Sequence, residues 1–172
     1  MGDLTPLSLI LSIPTIKLIK HTLTDIKIIF IVRNPRDRLL SSFNMFLGRE
    51  MINKGLSITE IEKFASIKKL KSYLSMKDVF LRSFPTRIFK KWKAVFSDIY
   101  VISFNEIKNN PINVIYEIEN FLNIENKENN NFVLPINEKK DAPKIKNSQK
   151  FIEIIDEYLG DEIYKFKELL SK

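Results

Sequence analysis

Cysteine is absent from the 172-residue chain, and histidine occurs once, at His21. These two shortages exclude disulfides, thiolate catalysis, Cys-based zinc sites and any multi-His metal site. Glycine is also scarce, occurring only at positions 2, 48, 55 and 160, so a Gly-rich phosphate-cradling loop has no place to form. Long apolar runs are missing as well. The stretch from Leu4 to Ile19 is fairly apolar, but Pro6, Pro14, Lys17 and Lys20 interrupt it and no basic segment precedes it. It is too short and too broken for a bilayer span or a signal peptide. The expectation is a loop followed by a core helix, in a cytoplasmic protein.

What is present is a globular composition, with 44% hydrophobic and 28% charged residues and 13 Phe to give a core bulk. The length suits one domain. Lys and Arg exceed Asp and Glu by 28 to 21, a net charge of +7. That excess suits an anionic ligand, and equally RNA or a membrane surface. The wealth of Lys, Ile and Asn also fits an AT-rich coding sequence, which weakens charge as functional evidence.

Ile26 to Val32 is a nearly continuous β-branched run, the pattern of a parallel strand buried on both faces. It stops at Arg33-Asn34-Pro35, where Asn34 is a good N-cap and Pro35 suits the first helical position. The helix that follows is expected to place Leu39, Leu40, Phe43, Phe46 and Leu47 on one face and to stop at Gly48. A helix is expected over Ser57 to Lys71, where Ser57 and Glu60 form a capping-box signature. Another should cover Thr86 to Phe96, with Ile88, Phe89 and Trp92 near one face. Ile99 to Phe104 reads as a second strand, followed by a loop around Asn105-Glu106-Ile107. Asn110-Pro111 then repeats the cap-plus-proline start, opening a helix with Ile112, Ile115, Ile118, Phe121 and Leu122 inward. Residues 125–150 are polar and read as loop, and Ser148 to Lys172 as one or two terminal helices. Strands alternating with helices indicate an α/β domain with a parallel sheet.

In open α/β sheets ligands bind beyond the carboxyl ends of the strands, where Arg33 sits. Its planar fork of donors can grip a phosphate, and Ser41, about two turns into the next helix, can donate to the same oxygens. The start of that helix adds a favourable dipole. The run from Lys27 to Phe43, with Arg33-Asn34-Pro35, Arg38, Ser41 and aromatic Phe43, resembles the motif by which PAPS-dependent sulfotransferases bind the 3′-phosphate of 3′-phosphoadenosine 5′-phosphosulfate (PAPS). Val101 to Ile107, Asn110-Pro111 and Phe121-Leu122-Asn123-Ile124 are similar to the family's strand, acidic residue, "NP" loop and "FLGI" helix ending, with Asn123 in place of Gly. Ile136 to Pro143 resembles a late loop that closes over the nucleotide in some bacterial members. Gly2-Asp3-Leu4-Thr5-Pro6 is similar to a Gly-Glu-x-Thr-Pro segment of bacterial and heparan-sulfate-type relatives.

The resemblance implies a P-loop-NTPase-like parallel sheet flanked by helices, formed here as a single sulfotransferase domain incomplete at its N-terminus. It implies transfer of the sulfuryl group from PAPS, the co-substrate, to a hydroxyl or amine of a sugar, lipid or small metabolite, with no metal. Arg33 and Ser41 correspond to the 3′-phosphate contacts, and Arg38 to a structural position. Asp3 stands where relatives carry the proposed catalytic base. Lys139 and Lys140 are candidates for touching the nucleotide. The Lys-bearing Gly/Ser/Thr-rich loop for the 5′-phosphosulfate has no counterpart, so weak or no turnover by these residues alone is expected. Glu106 is expected to be structural, His21 solvated, and Trp92 and the Phe residues part of the core. Two other readings stand beside transfer: a non-catalytic PAP-binding or structural remnant (PAP is the desulfonated product), and a basic RNA-binding module. The latter ranks last because no RNA-binding motif is present.

Overall fold

A computed structural model describes residues 10–55, 57, 60, 65–124 and 149–171. It is a mostly helical α/β structure holding a two-stranded parallel sheet. In chain order the elements are α1 (Ile13–Thr22), β1 (Ile28–Val32), α2 (Pro35–Lys54), α3 (Ile67–Leu74), α4 (Lys77–Ser83), α5 (Pro85–Lys93), β2 (Ile99–Ser103), α6 (Phe104–Asn109), α7 (Pro111–Leu122), α8 (Gln149–Leu159) and α9 (Glu162–Leu170). The chain divides into two compact units. Met1–Arg33, Thr86–Asn137 and Leu169–Lys172 form the first, and Asn34–Pro85 with Glu138–Glu168 the second.

The first unit holds the sheet. β1 and β2 pair in parallel, with Ile28 opposite Ile99 and Val32 opposite Ser103. Phe30, Val32 and Ile102 are buried, and Phe30 meets Phe89 at 5.6 Å between ring centroids. Ile31 is 45% exposed, so β1 is not buried on both faces as its apolar run suggested. Successive strand side chains point to opposite faces, and among the described residues only one face of β1 is fully covered. Ile16, Ile88, Trp92, Val95, Phe96 and Val114 are also buried here.

Two lysines of this unit tie helix ends down. Lys20 donates to the Val95 carbonyl at 2.6 Å while lying 5.6 Å from the centre of the Phe96 ring. Lys27 donates to the Phe121 carbonyl and lies over the ring of the same residue. Each supplies a cation and a donor where helical carbonyls lack partners. The Tyr100 hydroxyl donates to Glu117 on α7, and its ring stacks on Phe121.

The second unit is a helical cluster. Leu39, Phe43 and Leu47 on α2 face Leu70, Tyr73 and Leu74 on α3 and Phe151, Ile155 and Leu159 on α8. On α2 and α8 these residues recur at every fourth position, which forms one stripe on a helix. Phe43 lies at its centre, 5.3 Å from Tyr73 and 6.1 Å from Phe151.

Several boundaries differ from expectation. α2 does not stop at Gly48 but continues to Lys54, ending at Gly55 in the left-handed region (φ 62°). An interior glycine costs only about 1 kcal/mol, less than the packing of Leu47 beside it returns. Phe104 begins helix α6 rather than ending β2, and Asn105-Glu106-Ile107 is helical. Ile112 is 58% exposed, not inward; Val114 is buried in this helix instead. The helix expected over Ser57 to Lys71 is not continuous: residues 65 and 66 are not helical and α3 starts at Ile67 on a Ser66 cap, while Glu60 does accept the Ser57 N–H at 2.7 Å and residues 58–59 and 61–64 lie outside the described residues.

α7 ends with Asn123 in the left-handed conformation (φ 57°, ψ 41°), which Asn adopts more readily than other residues with a side chain, so it can take the place where the resemblance noted above expects Gly. Asn123→Ala should destabilise the chain by about 1 kcal/mol, while Asn123→Gly should stay close to the parent. Chemical denaturation of the three proteins measures the difference. Burial and the Glu117 hydrogen bond push Tyr100 up to about 12 from its ordinary 10.0. Because the folded value is the higher, the stabilisation is complete below about pH 10 and is lost as pH rises through about 12. Denaturation of the parent beside Tyr100→Phe should show this alkaline loss in the parent and less of it in the variant.

Candidate functional site

In the first unit the candidate residue Arg33 follows the carboxyl end of the parallel pair. With Val32 opposite Ser103, the next residues along the two strands are Arg33 and Phe104. The half-buried Arg33 guanidinium lies over the Phe104 ring, 5.1 Å from its centre. Phe104 itself is 40% exposed. Among the described residues no carboxylate forms a salt bridge with Arg33, so its fork of N–H donors is available to an anion.

The backbone beneath Phe104 is fixed by a capping box. Ser103 Oγ accepts the Glu106 N–H at 3.1 Å, and the Glu106 carboxylate accepts the Ser103 N–H at 2.7 Å. Glu106 is therefore a structural residue of α6, as its sequence position suggested.

In the second unit the Asn34 side-chain oxygen accepts the N–H of Arg36 at 3.0 Å and of Asp37 at 3.4 Å. Pro35 occupies the first helical position, where a missing N–H costs nothing. Ser41 lies two turns into α2, partly buried. Helical side chains lean toward the N-terminus, and Ser41 shares a face with Arg38, three residues earlier. Arg36 forms a two-pronged pair with Asp156 on α8, both contacts at 2.6 Å. That hydrogen bond, reinforced by charge attraction and opposed by burial, raises the Arg36 pKa. The Tyr73 pKa is pushed up by burial, and the nearby Ser42 hydroxyl and Arg38 charge offset part of the rise.

Arg33 and Ser41 are thus both described, one in each unit and eight positions apart along the chain. Asp3, Lys139 and Lys140 lie outside the described residues. His21 is exposed and Trp92 buried, as expected. Sequence reasoning missed two residues. Asp156 is 120 positions from Arg36 and carries no local signal. Phe104 was expected in the second strand and, with the other Phe residues, in the core, but it is 40% exposed, as Phe80 is at 41%; its signal would have been the strand register. Among the described residues no group of three or more His, Cys, Asp or Glu is placed to hold a metal, and no helix is long and apolar enough to cross a membrane.

Ser103→Ala removes the N-cap of α6 and should cost about 1 kcal/mol. Thermal or urea unfolding beside Asn105→Ala, at an exposed position without a capping role, should show the loss for Ser103 alone.

Comparison with known proteins gave one match. Neither the curated proteins nor the solved structures returned any. A family model described as the sulfotransferase domain matches residues 11–150, a span that includes β1, the Arg33-Asn34-Pro35 turn, α2, β2 and the capping box of α6. With most of its length accounted for in this way, the chain belongs to the sulfotransferase-domain family.

Proposed function

We propose that the chain takes PAPS as its sulfuryl donor, with Arg33 and Ser41 holding the donor's 3′-phosphate. The observation that carries this reading is Arg33 itself, at the carboxyl end of a parallel strand with its guanidinium unpaired by any described carboxylate. Strand ends of this kind are where open α/β sheets take ligands. The Arg-Asn-Pro to Ser41 pattern supplies the assignment to a 3′-phosphate, and membership of the family supplies the sulfuryl group. A P-loop-like arrangement of the sheet fits the same reading.

In the reaction, an acceptor hydroxyl or amine attacks the sulfur in line. A new O–S or N–S bond forms, the bond from sulfur to the 5′-phosphate oxygen breaks, PAP leaves, and a base takes the acceptor proton. The protein's part is alignment and stabilisation of charge on the transferred and leaving oxygens. Arg33 and Ser41 act at the far end of the donor, so they set its register rather than the bond-making step. Asp3 is the candidate base, and Lys139 and Lys140 are candidates for covering the nucleotide. No Lys-bearing Gly-rich loop occurs among the 172 residues to hold the 5′-phosphosulfate. Donor anchoring should therefore be easier to detect than turnover.

Calorimetric titration with PAP and with 5′-AMP tests the assignment. The parent should prefer PAP. Arg33→Ala should weaken PAP by roughly ten- to a hundredfold, corresponding to about 1.5–3 kcal/mol, the scale of a hydrogen bond to a charged group. Binding of AMP should change little. Equal binding of the two ligands by a folded parent, or an Arg33→Ala variant with parental PAP affinity, would overturn the reading.

A further inference from the structure

We infer that Phe104 is the positioning residue for Arg33. Its ring serves as a platform that holds the guanidinium ready for the anion. The inference rests on the assignment of Arg33 to the 3′-phosphate and extends it to a second residue.

Four observations lead there. The parallel register ends both strands level, which puts Arg33 and Phe104 side by side. The guanidinium carbon lies 5.1 Å from the ring centre, within the range where a cation is attracted to an aromatic face. Phe104 is 40% exposed and packs against no other described aromatic ring, so the Arg33 guanidinium is the one ring contact recorded for it among the described residues. Its backbone is held by the Ser103–Glu106 capping box, and Ser103 is buried, so the platform is fixed where the ring leaves the chain.

Arginine has a long, flexible side chain, and holding it in one place before the ligand arrives lowers the entropy lost on binding. A guanidinium lying over a ring keeps its N–H donors pointing outward in its own plane. Those donors are the ones that a tetrahedral oxyanion engages. Phe104 touches no part of the reaction in this scheme; it acts through Arg33.

The test compares Phe104→Leu, which keeps apolar bulk without the π face, with Phe104→Tyr, which keeps the face. PAP and 5′-AMP are titrated against each variant, against Arg33→Ala and against the Arg33→Ala/Phe104→Leu double variant. Phe104→Leu should lower PAP affinity by roughly three- to tenfold and leave AMP nearly unchanged, so the PAP-to-AMP preference falls. Phe104→Tyr should restore the preference. The double variant should bind PAP no more weakly than Arg33→Ala alone. In the ligand-free parent, the Arg33 side-chain N–H resonance should show an upfield ring-current shift that Phe104→Leu abolishes.

A merely structural Phe104 would lower stability without moving the PAP-to-AMP ratio. That result, or an absent ring-current shift, overturns the inference while leaving the role of Arg33 intact. If Arg33→Ala itself leaves the ratio unchanged, the 3′-phosphate assignment fails and the inference falls with it.

Discussion

The register of one parallel strand pair governs the placement of the candidate residues in the first unit. β1 and β2 pair residue for residue from Ile28–Ile99 to Val32–Ser103 and then stop together. Because they end level, two chain segments separated by some seventy positions each offer the next side chain at one edge of the sheet. Arg33 comes from one and Phe104 from the other. Just before Phe104, Ser103 serves two purposes. It closes the ladder opposite Val32, and its hydroxyl starts α6. Strand pairing, helix initiation and the placement of a guanidinium are therefore one arrangement.

The basic excess of the chain has to be read against what its cations do. Lys20 and Lys27 terminate helices, each over an aromatic ring. Arg36 is committed to Asp156, Lys69 to Glu50 and Lys165 to Asp161. These groups add to the long-range field that attracts anions, but their donors are already engaged in holding elements. A reading of function from net charge would have pointed to any polyanion. The distinction between Arg33 and its neighbour Arg36, three positions on, comes from partners rather than from charge.

Much of this was legible in the sequence because its causes are local. An apolar β-branched run makes a strand, and Asn34-Pro35 and Asn110-Pro111 open helices at the expected places because proline's fixed φ suits the first turn. Glu106 was expected to be structural, and its hydrogen bond from the Ser103 N–H bears that out. The misreadings share a different origin. Gly48 was taken as a stop, but helix ends depend on what the next turn packs against, and α2 runs on to Gly55. Ile112 was placed inward, but which face of α7 is covered depends on residues far away in the chain. Phe104 could not be paired with Arg33 until the register was known, and register is a property of two segments together.

The level ending of the two strands also bears on how such a chain can change over evolutionary time. Side chains alternate across a strand with a period of two, so deleting or inserting one residue within β2 would turn the residue after it to the opposite face of the sheet. The ring beside Arg33 would be replaced by whatever came next, and the cap of α6 would lose its hydroxyl at the same stroke. Among descendants of this sequence the count of residues from Ile99 to Phe104 should therefore stay fixed even where the residues themselves are exchanged.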